Sequence, residues 1–173
     1  QAPRGRLDWR RVVRWMLPAM EALHQAHEAG LVHRDIKPEN LFIHHRNGEE
    51  VLIVLDLGLV KHVALDGTPS RWTRSGIILG TALYMSPEQA NAGQVDRRTD
   101  VYAMGVTLYR LISGQHLFPS PTGHGPIAAI TRHLFEPPPR LAGREFPPTL
   151  VAAHALPGSR APRASSRSHG VPG

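Results

Sequence analysis

The chain has 173 residues, 41% hydrophobic and 20% charged, a size suited to one core and too apolar for a wholly disordered polypeptide. It has no Cys, which excludes a disulfide framework and Cys-ligated zinc, and its most apolar run, residues 51–60, is too short to span a membrane and contains Asp56. The net charge of +6 does not describe a nucleic-acid surface: five Arg against Glu145 alone put +4 from Arg140 onward, leaving +2 for residues 1–139, with no stripe of alternating aromatic and basic residues. The opening Gln1-Ala2-Pro3-Arg4 carries neither Met nor an apolar leader, so the chain is expected to begin inside a longer protein.

From Asp8 to Ala29, Val12, Val13, Met16, Leu17, Met20 and Leu23 recur at three- and four-residue steps and predict an amphipathic helix closed by Gly30. His24, His27, His44 and His45 are expected at the surface rather than around a metal. Leu31-Val32 is extended and His33 to Asn40 a loop. Leu41-Phe42-Ile43 and Val51 to Leu55 predict two strands around the hairpin signal Asn47-Gly48.

Residues 57–85 lack periodicity and predict a loop whose length implies a functional reason inside a compact domain. Ser86-Pro87-Glu88-Gln89 reads as a helix start with a capping box. A further helix opens at Thr99-Asp100, with Val101, Met104, Leu108, Leu111 and Ile112 on its apolar face and Gly114 at its end. After Pro137-Pro138-Pro139 the composition shifts to Ala, Pro, Arg, Ser and Gly. Residues 141–173 are therefore expected to be a poorly ordered tail or out of frame, with an early stop or frameshift after about Phe146.

Phosphoryl transfer to a hydroxyl needs a carboxylate to take the hydroxyl's hydrogen, cations over the migrating phosphate and oxygen ligands for Mg²⁺. The loop offers all three: Asp35 to orient the hydroxyl, Lys37 to lie beside the phosphoryl group, and the Asn40 carbonyl oxygen for a hard cation. Asp56 supplies a second metal ligand at the end of a strand, and Gly58 two residues on permits the sharp turn that aims it back.

The set His33-Arg34-Asp35-Ile36-Lys37-Pro38-Glu39-Asn40, then Asp56-Leu57-Gly58, then Ser86-Pro87-Glu88 resembles the His-Arg-Asp, Asp-Phe-Gly and Ala-Pro-Glu series of bacterial, Hanks-type Ser/Thr protein kinases, with Leu57 for Phe and Ser86 for Ala. The resemblance covers about residues 7–139. It implies an α+β, mainly α fold: the large, C-terminal lobe of a protein kinase over residues 1–140, with a short β-hairpin and no small lobe. It also implies ATP and Mg²⁺, or Mn²⁺, protein substrates with Ser or Thr acceptors, no nucleic acid, and a cytoplasmic site of action, whether or not a parent chain is membrane-anchored.

Residue by residue, the resemblance makes His33 an apolar-packed scaffold and Asp100 a buried helix-start carboxylate holding the catalytic-loop backbone. Thr81 is the substrate-adjacent hydroxyl bridging Asp35 and Lys37, and Glu88 a structural support. Thr73 and Ser75 are the activation-loop phosphorylation candidates whose phosphate Arg34 would pair with.

The family also uses a Gly-rich loop, a strand Lys and a helix Glu to grip the nucleotide. The chain's only lysines are Lys37 and Lys61, so no Lys precedes the catalytic loop, and Gly123-His124-Gly125 lies too far downstream to replace the Gly-rich loop. Two function classes follow: a Ser/Thr kinase present as part of its domain, or a catalytically inactive, pseudokinase-like interaction module. Small-molecule phosphotransferases with a related Asp-to-Asn loop fit less well, because Lys37, Ser86-Pro87-Glu88 and Asp100 are all in place.

Overall fold

A computed structural model describes residues 5–56, 79–119, 125–141 and 146. The first helix, α1, spans Trp9–Glu28. Asp8 caps it by accepting the Arg11 N–H at 3.0 Å. Gly30, at φ +77°, is the left-handed residue that ends it. Its inward stripe is Val12, Trp15, Met16, Ala19, Leu23 and Ala26. Leu17 and Met20, expected on that stripe, are 62% and 48% exposed. The periodicity was right and the face was rotated, because small alanines and Trp15 line the contact rather than the bulkiest aliphatics.

A single 3₁₀ turn, Pro38–Asn40, leads into strands β1 (Leu41–Arg46) and β2 (Glu49–Val54). They pair antiparallel from Leu41 opposite Val54 to Arg46 opposite Glu49. Asn47 and Gly48 turn the hairpin at φ +52° and +81°, the two left-handed residues that a tight hairpin matched to strand twist requires. Both strands run further toward the turn than their apolar cores suggested.

Four more helices follow among the described residues: α2 (Leu79–Ala82), α3 (Pro87–Ala90), α4 (Arg97–Ser113) and α5 (Gly125–Phe135). Leu79–Ala82 lies in the stretch expected to be loop, and residues 57–78, with Gly58, Thr73 and Ser75, are outside the described residues. Asp96, not Thr99, caps α4, so that helix begins earlier than expected and carries Thr99 and Asp100 in its first turn. Gly114 ends α4 in the left-handed region at φ +73°. The sequence reading did not foresee α5, whose Gly125-Pro126 start resembles loop composition.

Helix α4 is the axle of the fold. It packs on α1, whose other neighbour is β2, while α2 and α3 pack on α5. Ala103, Met104, Val106, Tyr109 and Ile112 from α4 meet Val12, Trp15, Met16 and Leu23 from α1 in one core. Burying aliphatics such as Val12 and Ile112, both 0% exposed, stabilises by roughly 1.5–3 kcal/mol each. Leu141 and Phe146, in the stretch expected to pack poorly, are buried in the same core, and the Arg6 guanidinium lies 5.2 Å from the Phe146 ring centre.

Candidate active site

The loop from His33 to Asn40 is built by alternation. Ile36 is 1% exposed and anchors the loop in the core, so Asp35 and Lys37 on either side point the opposite way, toward the surface. The Lys37 backbone is fully extended, φ −162° and ψ 163°, which keeps that alternation. Pro38 then starts the 3₁₀ turn, in which the Asn40 N–H reaches the Lys37 carbonyl at 3.0 Å, and this turn brings Asn40 back beside Asp35.

The Lys37 ammonium donates to both Asp35 carboxylate oxygens, at 3.1 and 2.9 Å, and to the Thr81 hydroxyl at 3.0 Å. The Asn40 amide nitrogen donates to the Asp35 carbonyl at 2.7 Å and to its carboxylate at 3.1 Å. Four sequence-predicted residues are thus joined in one network: Lys37 and Asn40 hold the Asp35 carboxylate, and Lys37 rather than Thr81 is the bridge. The Asp35 and Lys37 side chains are 29% and 14% exposed, dry enough to strengthen the pair yet open to a substrate.

Beneath them lies a backbone scaffold. Asp100, 1% exposed, accepts the N–H of His33 at 2.8 Å and of Arg34 at 2.7 Å. His33 accepts the Asp35 N–H on Nδ1 at 3.3 Å and contacts the Leu55 carbonyl with Nε2 at 2.7 Å, which fixes the neutral imidazole with its hydrogen on Nε2. His33 is thus hydrogen-bonded at both ring nitrogens as well as buried. Asp56 follows Leu55 directly, is exposed and stands at φ +60°. The Leu55 N–H donates to the Asn40 carbonyl at 2.8 Å, tying the two expected metal ligands together through backbone.

His27, expected at the surface, is the main correction. Its imidazole is 8% exposed and lies 2.7 Å from Asp100. A signal existed, since position 27 is one turn beyond buried Leu23. His24, His44 and His45 are exposed as expected. Glu88 takes the Thr99 hydroxyl at 2.5 Å, and the Ser86 cap forms with Gln89 in both directions. Tyr84, two residues beyond α2, stays protonated: burial, and then Glu39, push its hydroxyl up to about 12 against the opposing effect of Arg110.

Sequence reading also missed the outward face of the hairpin, where Phe42 opposite Ile53, with Val51 and Leu55, stays 39–53% exposed beside Asn40 and Asp56. The clue was Leu41-Phe42-Ile43, apolar on both faces, unusual for a strand with one side in water.

A carboxylate clamped by a lysine, with an amide and a second carboxylate at hand, is the arrangement of a phosphotransferase. The family described as protein kinase domain matches residues 2–147. The chain belongs to the protein kinase family, in its bacterial Ser/Thr branch. It is 44% identical over 130 residues to the serine/threonine-protein kinase pkn3 of Myxococcus xanthus, covering 75% of this chain and 23% of that protein. It is 42% identical over 123 residues to a probable serine/threonine-protein kinase of Corynebacterium efficiens, covering 71% and 17%. It is 37% identical over 134 residues to the serine/threonine-protein kinase PknB of Mycolicibacterium smegmatis, covering 78% and 20%. The chain spans less than a quarter of the length of these relatives. The family uses ATP and a divalent cation, and among the described residues no helix is long and apolar enough to cross a membrane.

Proposed function

We propose that residues up to about 140 form the larger, catalytic-loop lobe of a Ser/Thr protein kinase that transfers the γ-phosphoryl group of ATP to a protein hydroxyl. The observation that carries this reading is the Lys37 ammonium held between the Asp35 carboxylate and the Thr81 hydroxyl. Asp35 accepts the hydrogen of the incoming Ser or Thr hydroxyl and points its oxygen at the phosphorus. Lys37 neutralises charge building on the phosphoryl oxygens, and Thr81 keeps Lys37 in line.

The donor set fits a hard divalent cation. The Asn40 amide nitrogen is spent on Asp35, so its carbonyl oxygen is the end left to face a metal, and Asp56 offers an exposed carboxylate one hydrogen-bonded residue away. Bound there with ATP, Mg²⁺ or Mn²⁺ would offset charge on the phosphates. Arg34, exposed beside Asp35, is the partner for phosphate on Thr73 or Ser75. His33, Gly58, Glu88 and Asp100 serve as supports. The exposed apolar face around Phe42 and Ile53 is the seat for the nucleotide-gripping half, whose lysine is not among these residues.

The absence of a lysine ahead of the loop favours the second reading for the chain acting alone: unsupplemented, it transfers no phosphate above background. Fusing the preceding half of the Myxococcus xanthus relative's kinase domain to residue 7 tests the proposal. Labelling of Ser/Thr peptides from ATP that collapses in Asp56→Ala is expected, with phosphate mapping to Thr73 or Ser75. Equal labelling of Tyr peptides, or activity that survives Asp56→Ala, would overturn it.

A further inference from the structure

The residue after the Ser86-Pro87-Glu88 motif carries more chemistry than its helix cap requires. Gln89 accepts the Ser86 N–H on its side-chain oxygen at 3.1 Å, completing the capping box of α3. Its side-chain nitrogen donates to the Arg34 carbonyl at 2.8 Å, 55 residues away. A capping box is satisfied equally by Glu, and the positive end of a helix favours a carboxylate. Only the amide can cap and donate at once.

The acceptor is a demanding one. Arg34 stands at φ +68°, a left-handed conformation that costs a side-chain-bearing residue free energy and persists where its surroundings hold it. Its N–H is held by Asp100 at 2.7 Å and its carbonyl by Gln89. The Arg34 carbonyl belongs to the peptide unit that leads into Asp35, so its orientation sets where the Asp35 carboxylate points. The recess there is lined by Arg34, Asp35, Thr81 and Gln89, so the Gln89 side chain stands beside the carboxylate it is argued to aim.

We propose that Gln89 is a positioning residue for Asp35: by holding the Arg34 carbonyl it aims the catalytic carboxylate and couples the Ser86 cap to the catalytic loop. This rests on Asp35 being the catalytic carboxylate.

Gln89→Glu separates the two jobs, keeping an acceptor for Ser86 and removing the donor to Arg34, whereas Gln89→Ala removes both. In the 173-residue chain, the Asp35 amide resonance, which senses hydrogen bonding of the carbonyl ahead of it, is expected to move in both variants. The Ser86 amide should move only in Gln89→Ala. In the fused enzyme, Gln89→Glu is expected to lower kcat on the order of tenfold with the KM for ATP within about twofold, as a misaimed reacting group does. An unmoved Asp35 amide, or an unchanged kcat alongside an inactive Asp35→Ala, would overturn the role of Gln89. Activity persisting in Asp35→Ala would instead overturn the reading beneath it.

Discussion

Asp100 on α4 and Arg34 in the catalytic loop are joined by a 2.7 Å hydrogen bond from the Arg34 N–H to a carboxylate that is 1% exposed. The same carboxylate holds the His33 N–H and meets the His27 imidazole, so three groups depend on one buried anion. Each buried donor left without a partner costs about 1–3 kcal/mol. Asp100→Ala is therefore expected to destabilise the fold by about 3 kcal/mol, lowering Tm by about 6–12 °C at this chain length. Thermal unfolding followed by circular dichroism measures it, and a midpoint matching wild type would contradict the anchoring role.

His133 docks α5 onto the rest of the fold. It is 3% exposed, its Nε2 lies 3.0 Å from the Leu83 carbonyl, and its Nδ1 lies 2.6 Å from the Tyr102 hydroxyl. A carbonyl can only accept, so Nε2 carries a hydrogen, and in the neutral ring that burial enforces Tyr102 donates to Nδ1. Burial pushes the imidazole down to about 4, with the Leu83 carbonyl opposing and Arg132 adding to the shift. The unfolded chain therefore takes up a proton that the folded chain refuses. Stability is full above about pH 6.5 and drains away as pH falls toward 4. Between pH 7 and 5 the loss from this residue is about 2 kcal/mol. His133→Gln keeps a donor and an acceptor without titrating, so denaturant midpoints at the two pH values should differ less in the variant. Parallel losses in both proteins would refute the assignment.

Pro18 sits inside α1, exposed, and cannot donate a backbone hydrogen bond within the helix. Pro18→Ala is expected to stabilise the chain by about 1–3 kcal/mol, raising the denaturant midpoint. A lower midpoint would contradict a net helix-breaking cost at Pro18.

Where a local rule sufficed, the sequence was legible. The Ser86 cap, the Asn47-Gly48 turn and the helix ends at Gly30 and Gly114 each follow from a residue's own conformational preference, and all are present. The assembly of Asp35, Lys37, Asn40 and Thr81 was legible through family resemblance, since nothing local places Thr81 against Lys37. What stayed hidden depends on tertiary partners. Helix α4 is buried on several faces, so its apolar residues define no single stripe, and Val101, expected inward, is 62% exposed. The role of His27 becomes visible only once Asp100 is known to lie opposite it. Gln89 explained itself as a cap, and its second bond crosses to a loop whose position no short-range pattern reports.

The most direct test of the account is single-turnover phosphoryl transfer by the fused enzyme carrying Asp35→Asn, a near-isosteric change that keeps Lys37 and Asn40 and removes the proton acceptor. If the Asp35 carboxylate does the chemistry, the transfer rate falls by at least about a hundredfold while ATP binding is retained. A rate within about threefold of wild type would contradict the central claim.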